Sequence, residues 1–316
     1  MHSIRHTSKR ALTLVAALTT GLLLAACAAE DPDAITEPES ETDDAAELPP
    51  VEQNDELRSR LPDEILNAEK IISVNSGSFP PYTIVGSDES SNTGASTDLL
   101  NALGELWGVE VEEQTVDGLS SILTGISADR YDMGFGPIGD FKERQENIDF
   151  VDFVQEFVVF AVEAGNPESI TDLESTCGKK VSVQAGGSAE KVIKEQSDAC
   201  TEAGEDAIEV MSFKDQPQSI LAVQSGRAHA FFSSQAPLTY FVEESEGALE
   251  LAGTGQANGF DTLYQGAVVE KDSDLGPLLQ DSLQELFDNG VYEAIMNKWN
   301  LADNMIDETG MNMAVS

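Results

Sequence analysis

Arg144 is the residue of this chain best suited to bind a small anion. It follows a Gly-rich apolar run and a Gly-Pro corner in residues 131–150, YDMGFGPIGDFKERQENIDF. A guanidinium keeps its charge at physiological pH and presents a rigid fork of donors that fits a carboxylate. Arg144 therefore predicts an anion site if it faces a cleft, whereas on an open surface it would pair with Glu143 or Glu146.

The same stretch contains the pattern of a dinucleotide-binding loop. Gly134, Gly136 and Gly139 spell G-x-G-x-x-G. That loop requires a preceding strand, a helix that opens at the last glycine and an acidic residue for the ribose. Pro137 lies inside the loop, so we assign no nucleotide here and expect no cofactor.

The cysteines and histidines suggest a disulfide rather than a metal site. Cys177 and Cys200 flank a predicted strand and the helix that follows it. A strand and its antiparallel helix return bring those ends together, and two cysteines in an exported protein favour a disulfide. Beyond the N-terminal segment the chain has one histidine, His229, and no His–Cys cluster at ligand spacing, so we expect no metal.

Residues 1–26 have the pattern of a secretory signal peptide. Basic residues precede an apolar run over 11–26 that is short for a membrane span. The run ends in Leu24-Ala25-Ala26-Cys27, which resembles the lipobox of bacterial lipoproteins, where cleavage before the Cys leaves its thiol to carry diacylglycerol. We expect Cys27 to anchor the protein at the outer face of the cell membrane. The alternative is an ordinary signal peptide with an incidental Cys.

Residues 27–66 are predicted to form an acidic disordered linker. As far as Leu61 they are rich in Glu, Asp, Ala and Pro and have no aromatic residue, although a short amphipathic piece spans 57–68. Such a composition buries too little apolar surface to offset the entropy of ordering. The whole chain has a formal net charge of −41. A surface this acidic repels phosphate backbones and argues against nucleic-acid binding.

The rest of the chain alternates predicted strands and helices. Residues 71–75 are rich in β-formers and predict a first strand. Leu99, Leu103 and Leu106 recur at helical spacing, and a strand over 109–111 and a helix over 118–126 follow. Residues 153–162 form a nearly continuous β-rich run that predicts a strand crossing from one half of the chain to the other. This alternation is typical of α/β layers.

Several spacings in this region resemble those of one protein family. Asp132 is followed by a predicted strand, a small-residue turn, Arg144 twelve positions on, and the pair Asp149-Phe150. Residues 187–189, Gly-Ser-Ala, resemble a Gly-Ser-Thr turn that opens a helix, and residues 288–299 resemble a terminal signature. With these features, residues 69 to 301 resemble the family 3 solute-binding proteins of bacterial amino-acid ABC importers.

The resemblance implies an α/β, two-lobed, periplasmic-binding-protein-like (type II) fold with two hinge strands. Lobe 1 is then expected at residues 67–163 and 266–301, and lobe 2 at residues 164–265. Residues 302–316 are expected to form a tail.

The resemblance also implies a ligand site between the lobes. In the family, the Arg that corresponds to Arg144 binds the ligand's α-carboxylate. The N-terminus of the helix that begins at the turn corresponding to Ser188 binds the same group. An aromatic residue of the first loop, here Phe79 or Tyr82, covers the ligand. The expected substrate-binding residues are Phe79, Tyr82, Gly136, Gly139, Phe141, Arg144, Gly187, Ser188, Ala189, Ser234 and Gln235.

Two departures from the family concern the ligand. Ala95 and Ser96 replace the Phe and first Asp of a Gly-Phe-Asp-x-Asp segment. Ser234 and Gln235 stand where many amino-acid binders place an Asp that receives the α-ammonium. A neutral pair can hold an amine weakly, or it can suit a ligand with no free ammonium.

The expected function is capture of an amino acid or related polar solute and its delivery to the permease subunits of an ABC importer, with no chemistry on the ligand. We expect a lipid-anchored, extracytoplasmic monomer. The alternatives are a solute-sensing protein that serves a signalling receptor, and a dehydratase-like enzyme on the same fold, for which Asp, Glu or His229 would have to supply the base.

Overall fold

The β-branched and aromatic runs of the sequence form the strands of two mixed sheets and of one small antiparallel sheet of three strands. The structure is a computed structural model and describes residues 48–86 and 91–314, all within one compact unit, Ala45–Ser316. In chain order the strands are β1 Lys70–Asn75, β2 Ser78–Phe79, β3 Thr83–Val85, β4 Asn92–Thr93, β5 Glu110–Thr115, β6 Met133–Gly139, β7 Ile148–Glu156, β8 Val158–Glu163, β9 Lys180–Gln184, β10 Glu209–Phe213, β11 Ala230–Ser234, β12 Leu249–Ala252, β13 Leu263–Glu270 and β14 Met305–Met311.

The helices cover the faces of these sheets. They are α1 Asp55–Arg58, α2 Asp63–Ala68, α3 Ala95–Trp107, α4 Leu119–Ser127, α5 Ser188–Glu202, α6 Gln216–Gln224, α7 Gln235–Glu244, α8 Leu275–Asp288 and α9 Val291–Lys298, with short 3₁₀ turns at Glu174–Thr176 and Ala302–Asn304. None of the helices in the described ranges is long and apolar enough to cross a bilayer.

Lobe 1 is built on a sheet of order β14-β7-β13-β6-β1-β5. β5, β1 and β6 are parallel, whereas β13 runs antiparallel to β6 and β7, and β14 runs antiparallel to β7. Successive strand residues point to opposite faces, so Val151 joins the core under α3, α8 and α9, whereas Phe150 joins the core under α4. Trp107 is fully buried in the first of these cores and donates its indole N–H to Ser282 Oγ at 2.8 Å.

Lobe 2 is built on a sheet of order β10-β9-β11-β8-β12. Phe232 and Phe231 alternate in β11, so one packs in the core beside α5 and the other in the core beside α6 and α7. Cys177, which precedes β9, and Cys200, near the end of α5, form the predicted disulfide with their Cα atoms 5.6 Å apart.

The chain crosses between the lobes twice. The first crossover is at Phe157, because β7 pairs within the lobe 1 sheet and β8 pairs with β11 and β12 of lobe 2. The predicted boundary at residue 163 is therefore about six residues too late, since a single break in the β-rich run separates two strands. The second crossover lies between β12 and β13, close to the predicted return at residue 266.

Both ends of the folded region differ from the predicted domain limits. The predicted signal peptide, Cys27 and the linker as far as residue 47 lie outside the described residues. The last part of the predicted linker is folded, because α1 and α2 bury Leu57 and Ile65 in the lobe 1 core. The predicted tail contains β14, and Thr309 Oγ1 donates to Asp152 O at 2.7 Å, so this segment is an edge strand of lobe 1.

Candidate functional site

A cavity between the two lobes gathers most of the predicted site residues. It contains about 730 Å³ of empty space, counting the part open to solvent. The lobe 1 residues that line it are Asn75, Ser76, Phe79, Thr83, Leu119, Ile122, Phe135, Gly136, Pro137, Ile138, Gly139, Arg144 and Gln265. The lobe 2 residues that line it are Gln184, Gly187, Ser188, Ala189, Gln216, Ser233 and Ser234.

A turn between β6 and β7 places Arg144 at the cavity. The turn closes through Arg144 N–H to Phe141 O at 2.8 Å, and the guanidinium carbon lies 5.0 Å from the centre of the Phe141 ring. Arg144 donates from Nη1 to Gly139 O and from Nη2 to Gly186 O, both at 2.7 Å. Gly139 belongs to lobe 1 and Gly186 to lobe 2, so Arg144 joins the lobes. Burial lowers the pKa of the guanidinium to about 10, and the side chain remains charged at neutral pH.

Gly139 is required for this arrangement. A Cβ at residue 139 would lie 2.8 Å from Phe141 Cε2 and 3.5 Å from Arg144 Nη1. The first distance is shorter than real Cβ contacts allow, so a side chain would displace the ring on which Arg144 stacks. The Phe141 ring is therefore the group that approaches Gly139 most closely.

The N-terminus of α5 faces the same cavity as Arg144. α5 begins at Ser188 after Gly187, which has no side chain to cap the first turn, and Glu190 in that turn accepts from Gly186 N–H at 2.7 Å. The first N–H groups of a helix have no partner within the helix, and they carry the positive end of its dipole. Ser188 and Ala189 line the cavity. An anion between Arg144 and α5 would therefore meet positive potential from both lobes.

Neutral polar side chains form another wall of the cavity. Gln216 Nε2 donates to Gln184 Oε1 at 3.2 Å, and Ser233 Oγ donates to Gln216 Oε1 at 3.0 Å. Gln265 Nε2 donates to Ser234 Oγ at 3.3 Å. Sequence reasoning found Ser234 and missed the other four. They lie on β9, α6, β11 and β13, which are far apart along the chain, so no local sequence pattern groups them.

Aromatic and aliphatic side chains line the lobe 1 side of the cavity. Phe79 is partly buried next to the lobe 1 core, and Phe135 stacks on Phe153 with ring centres 5.3 Å apart. Leu119 and Ile122 come from α4. This surface can pack against the apolar part of a small solute.

Three predicted site residues do not line the cavity. Tyr82 is fully buried and donates its hydroxyl to Glu156 Oε1 at 2.8 Å, so it is a core residue behind Phe79. Gln235 is the first residue of α7, and it lines a separate groove near Trp299. Phe141 belongs to the lobe 2 core cluster, and its ring packs beside Gly139 and Arg144 without lining the cavity itself.

Two buried carboxyl groups lie close to the crossover strands. Burial raises the pKa of Glu156 to about 8. Burial and the neighbouring Asp140 charge raise the pKa of Asp152 to about 8. Two backbone N–H groups that follow β14 donate to this acidic pair, Ala314 to Asp140 at 2.8 Å and Met313 to Asp152 at 3.1 Å.

The fold and the site define a class of protein. Two α/β lobes, two crossovers and a cavity between them constitute the type II fold of periplasmic binding proteins, as predicted. A solved structure of a mutant of ArgBP from T. maritima has a TM-score of 0.67 and 22% identity, covering 75% of this chain and 98% of that chain. An ancestral arginine-binding protein bound to glutamine has a TM-score of 0.65 and 25% identity, covering 74% of this chain and 98% of its own.

The family follows from the sequence match. Residues 71–302 match the bacterial extracellular solute-binding proteins, family 3. The chain belongs to this family, as predicted. Among curated proteins it is 29% identical over 258 residues to the arginine-binding protein ArgT of Corynebacterium glutamicum, covering 81% of this chain and 83% of ArgT.

Proposed function

We propose that this protein captures an amino acid between its lobes and delivers it to the permease of an ABC importer. One observation carries the proposal: the Arg144 guanidinium and the uncapped N-terminus of α5 reach the same cavity from opposite lobes. Together they form a site for a carboxylate. Relatives named as arginine-binding proteins support the amino acid as the ligand class.

Binding would be coupled to closure of the lobes. Besides the bond from Arg144 to Gly186 O, Lys191 of α5 lies 3.4 Å from Glu143, and Lys214 lies 2.5 Å from Asp117. Each of these pairs joins lobe 2 to lobe 1. Because exposed ion pairs contribute little, about 0–1 kcal/mol, they can hold the lobes together only weakly. A ligand that contacts both lobes would stabilise the closed form through its higher affinity for that form.

We further propose that Cys27 is lipidated and holds the protein at the outer face of the membrane. The motif at residues 24–27 and the short apolar run before it support this anchor. The acidic segment that follows would then separate the folded unit from the bilayer, since like charges favour an extended chain.

Arg144→Ala tests the carboxylate site. With the amino acid that binds best in a calorimetric screen, we expect the variant to lose about 2–5 kcal/mol of binding free energy, because a charged, desolvated hydrogen-bonded pair is removed. Arg227→Ala is the matched control. Arg227 also stacks on a phenylalanine, Phe213, at 5.5 Å, but it lies on the surface away from the cavity.

Tight binding retained by Arg144→Ala, or equal losses in both variants, would contradict the carboxylate assignment. The transport role has a separate test: cells that lack the protein should take up the identified ligand more slowly, and the wild-type gene should restore uptake.

A further inference from the structure

We propose that the cavity recognises an amino acid whose side chain ends in an uncharged hydrogen-bonding group, such as an amide or a urea, and that it discriminates against arginine and lysine. This inference rests on the proposed function, since it assumes that Arg144 and α5 bind the α-carboxylate. It concerns the remaining walls of the same cavity.

The polar wall is made of amides and hydroxyls that are buried and already ordered. Gln216, Ser233, Ser234 and Gln265 are exposed by only 1%, 5%, 6% and 2%. Their mutual hydrogen bonds, with Gln184, fix the orientation of the wall before a ligand enters. Pre-ordered amides present both donors and acceptors, which match a ligand group that also has both.

Gln265 has one unsatisfied polar atom in this wall. Its Nε2 donates to Ser234, while its Oε1 is buried without a hydrogen-bond partner. Turning the terminal amide over would let it accept from Ser234 and would leave its NH₂ group open instead. In either orientation a buried polar atom on the cavity wall lacks a partner. Such an atom costs free energy unless a ligand satisfies it.

A cationic side chain would lack a counter-charge in this cavity. Among the described residues that line it, Arg144 is the only charged one, and it is positive. All amino-acid ligands share the α-ammonium, but arginine and lysine add a side-chain cation, and burying that additional charge without a carboxylate partner is strongly disfavoured.

The carboxylate of Glu113, which lies next to the cavity-lining Asn75, is already satisfied. Glu113 accepts hydrogen bonds from Asn75 Nδ2, from Asn92 Nδ2 at 2.6 Å and from Thr97 Oγ1 at 3.3 Å. Asn75, and not Glu113, lines the cavity. An arginine side chain could reach Glu113 only by displacing Asn75, so Glu113 does not supply the missing counter-charge.

L-Citrulline and L-arginine provide the sharpest test, because they have the same α-carboxylate and α-ammonium groups. Their side chains differ at the end, which is a neutral ureido group in citrulline and a charged guanidinium in arginine. Isothermal titration of the wild-type protein should show citrulline bound at least about tenfold more tightly than arginine. L-Glutamine should also bind more tightly than L-lysine.

A negative charge placed at residue 265 should reverse the preference for citrulline over arginine. Gln265→Glu should bind arginine at least about tenfold more tightly than the wild type does, and citrulline more weakly. Gln224→Glu is the control with the same change of charge, since Gln224 is exposed at the end of α6, and its ligand preference should remain that of the wild type.

The failure of this inference is distinguishable from that of the proposed function. Arginine bound by the wild type as tightly as citrulline, with Arg144→Ala weakening both, would overturn the inference and leave the proposed function intact. If neither compound nor any other amino acid bound the folded wild-type protein, the proposed function would fail and the inference with it. The wild-type comparison requires no variant, so misfolding of Gln265→Glu would not leave the idea untested.

Discussion

Glu156→Gln tests how much a buried carboxyl group at the boundary between the lobes lowers the free energy of unfolding. Glu156 ends β7, is only 2% exposed and accepts a hydrogen bond from the Tyr82 hydroxyl at 2.8 Å, while its Oε2 has no partner. Gln has the same shape and can keep the bond from Tyr82. The substitution therefore removes the titratable group with little change in packing.

The sign of the effect follows from the raised pKa. Burial raises the pKa of Glu156 from 4.5 to about 8 in the folded state, so between those values the folded protein holds a proton that the unfolded chain releases. Stability then falls by about 1.4 kcal/mol for each pH unit above 4.5. Relative to low pH, the loss of stability reaches about 3 kcal/mol at pH 7 and is small at pH 5. The neutral amide of the variant has no such cost, so the variant should gain stability relative to the wild type as pH rises.

Urea unfolding at pH 5 and pH 7 measures this effect. The free energy of unfolding of Glu156→Gln, minus that of the wild type, should be about 2–3 kcal/mol larger at pH 7 than at pH 5, so that the variant is relatively more stable at pH 7. Glu163→Gln, at an exposed glutamate that ends β8, is the control and should show no such change. A stability difference for Glu156→Gln that is the same at both pH values would show that the carboxyl group is not held protonated, and the reasoning from its burial would be wrong.

Two further predictions concern covalent features of the chain. Cys27→Ala should release the protein from the membrane fraction or leave an unprocessed precursor, because the acyl anchor is lost; a mature variant that still requires detergent for release would contradict the lipobox assignment. Replacing both Cys177 and Cys200 by Ala should lower the free energy of unfolding by about 2–4 kcal/mol, because the bridge closes a loop with a sequence separation of 23. Denaturant titration measures this loss, and two free thiols in the exported wild-type protein would show that the bridge does not form.

Local patterns in the sequence were sufficient to predict many elements of the fold. The leucines of α3 recur at helical spacing and enter one core, and the β-rich run before residue 163 forms strands buried almost throughout. Arg144 and the Ser188 turn were predicted because each lies in a short motif. These features depend on neighbours along the chain, which a sequence displays directly.

The remaining site residues depend on contacts between distant segments. Gln184, Gln216 and Gln265 are ordinary polar residues in their local context, and only the meeting of β9, α6 and β13 makes them a wall. Tyr82 is amphipathic. It is buried because its hydroxyl donates to Glu156, which is distant in sequence, and its own loop does not indicate this contact. β14 has a mixed pattern with exposed Asp307 and Glu308, so no period of two marks it as a strand.

The strand order of lobe 1 has a consequence for how the chain folds. The lobe 2 sheet uses strands from one continuous segment, β8 to β12, so it can form as soon as that segment is present. The lobe 1 sheet cannot form as early. Its strand β13 lies between β6 and β7 but follows the whole of lobe 2 in the chain. Until β13 inserts, β6 and β7 have unpaired edges, which are prone to pair with other chains. The interval between the appearance of β7 and that of β13 is therefore when the incomplete chain is most vulnerable to aggregation.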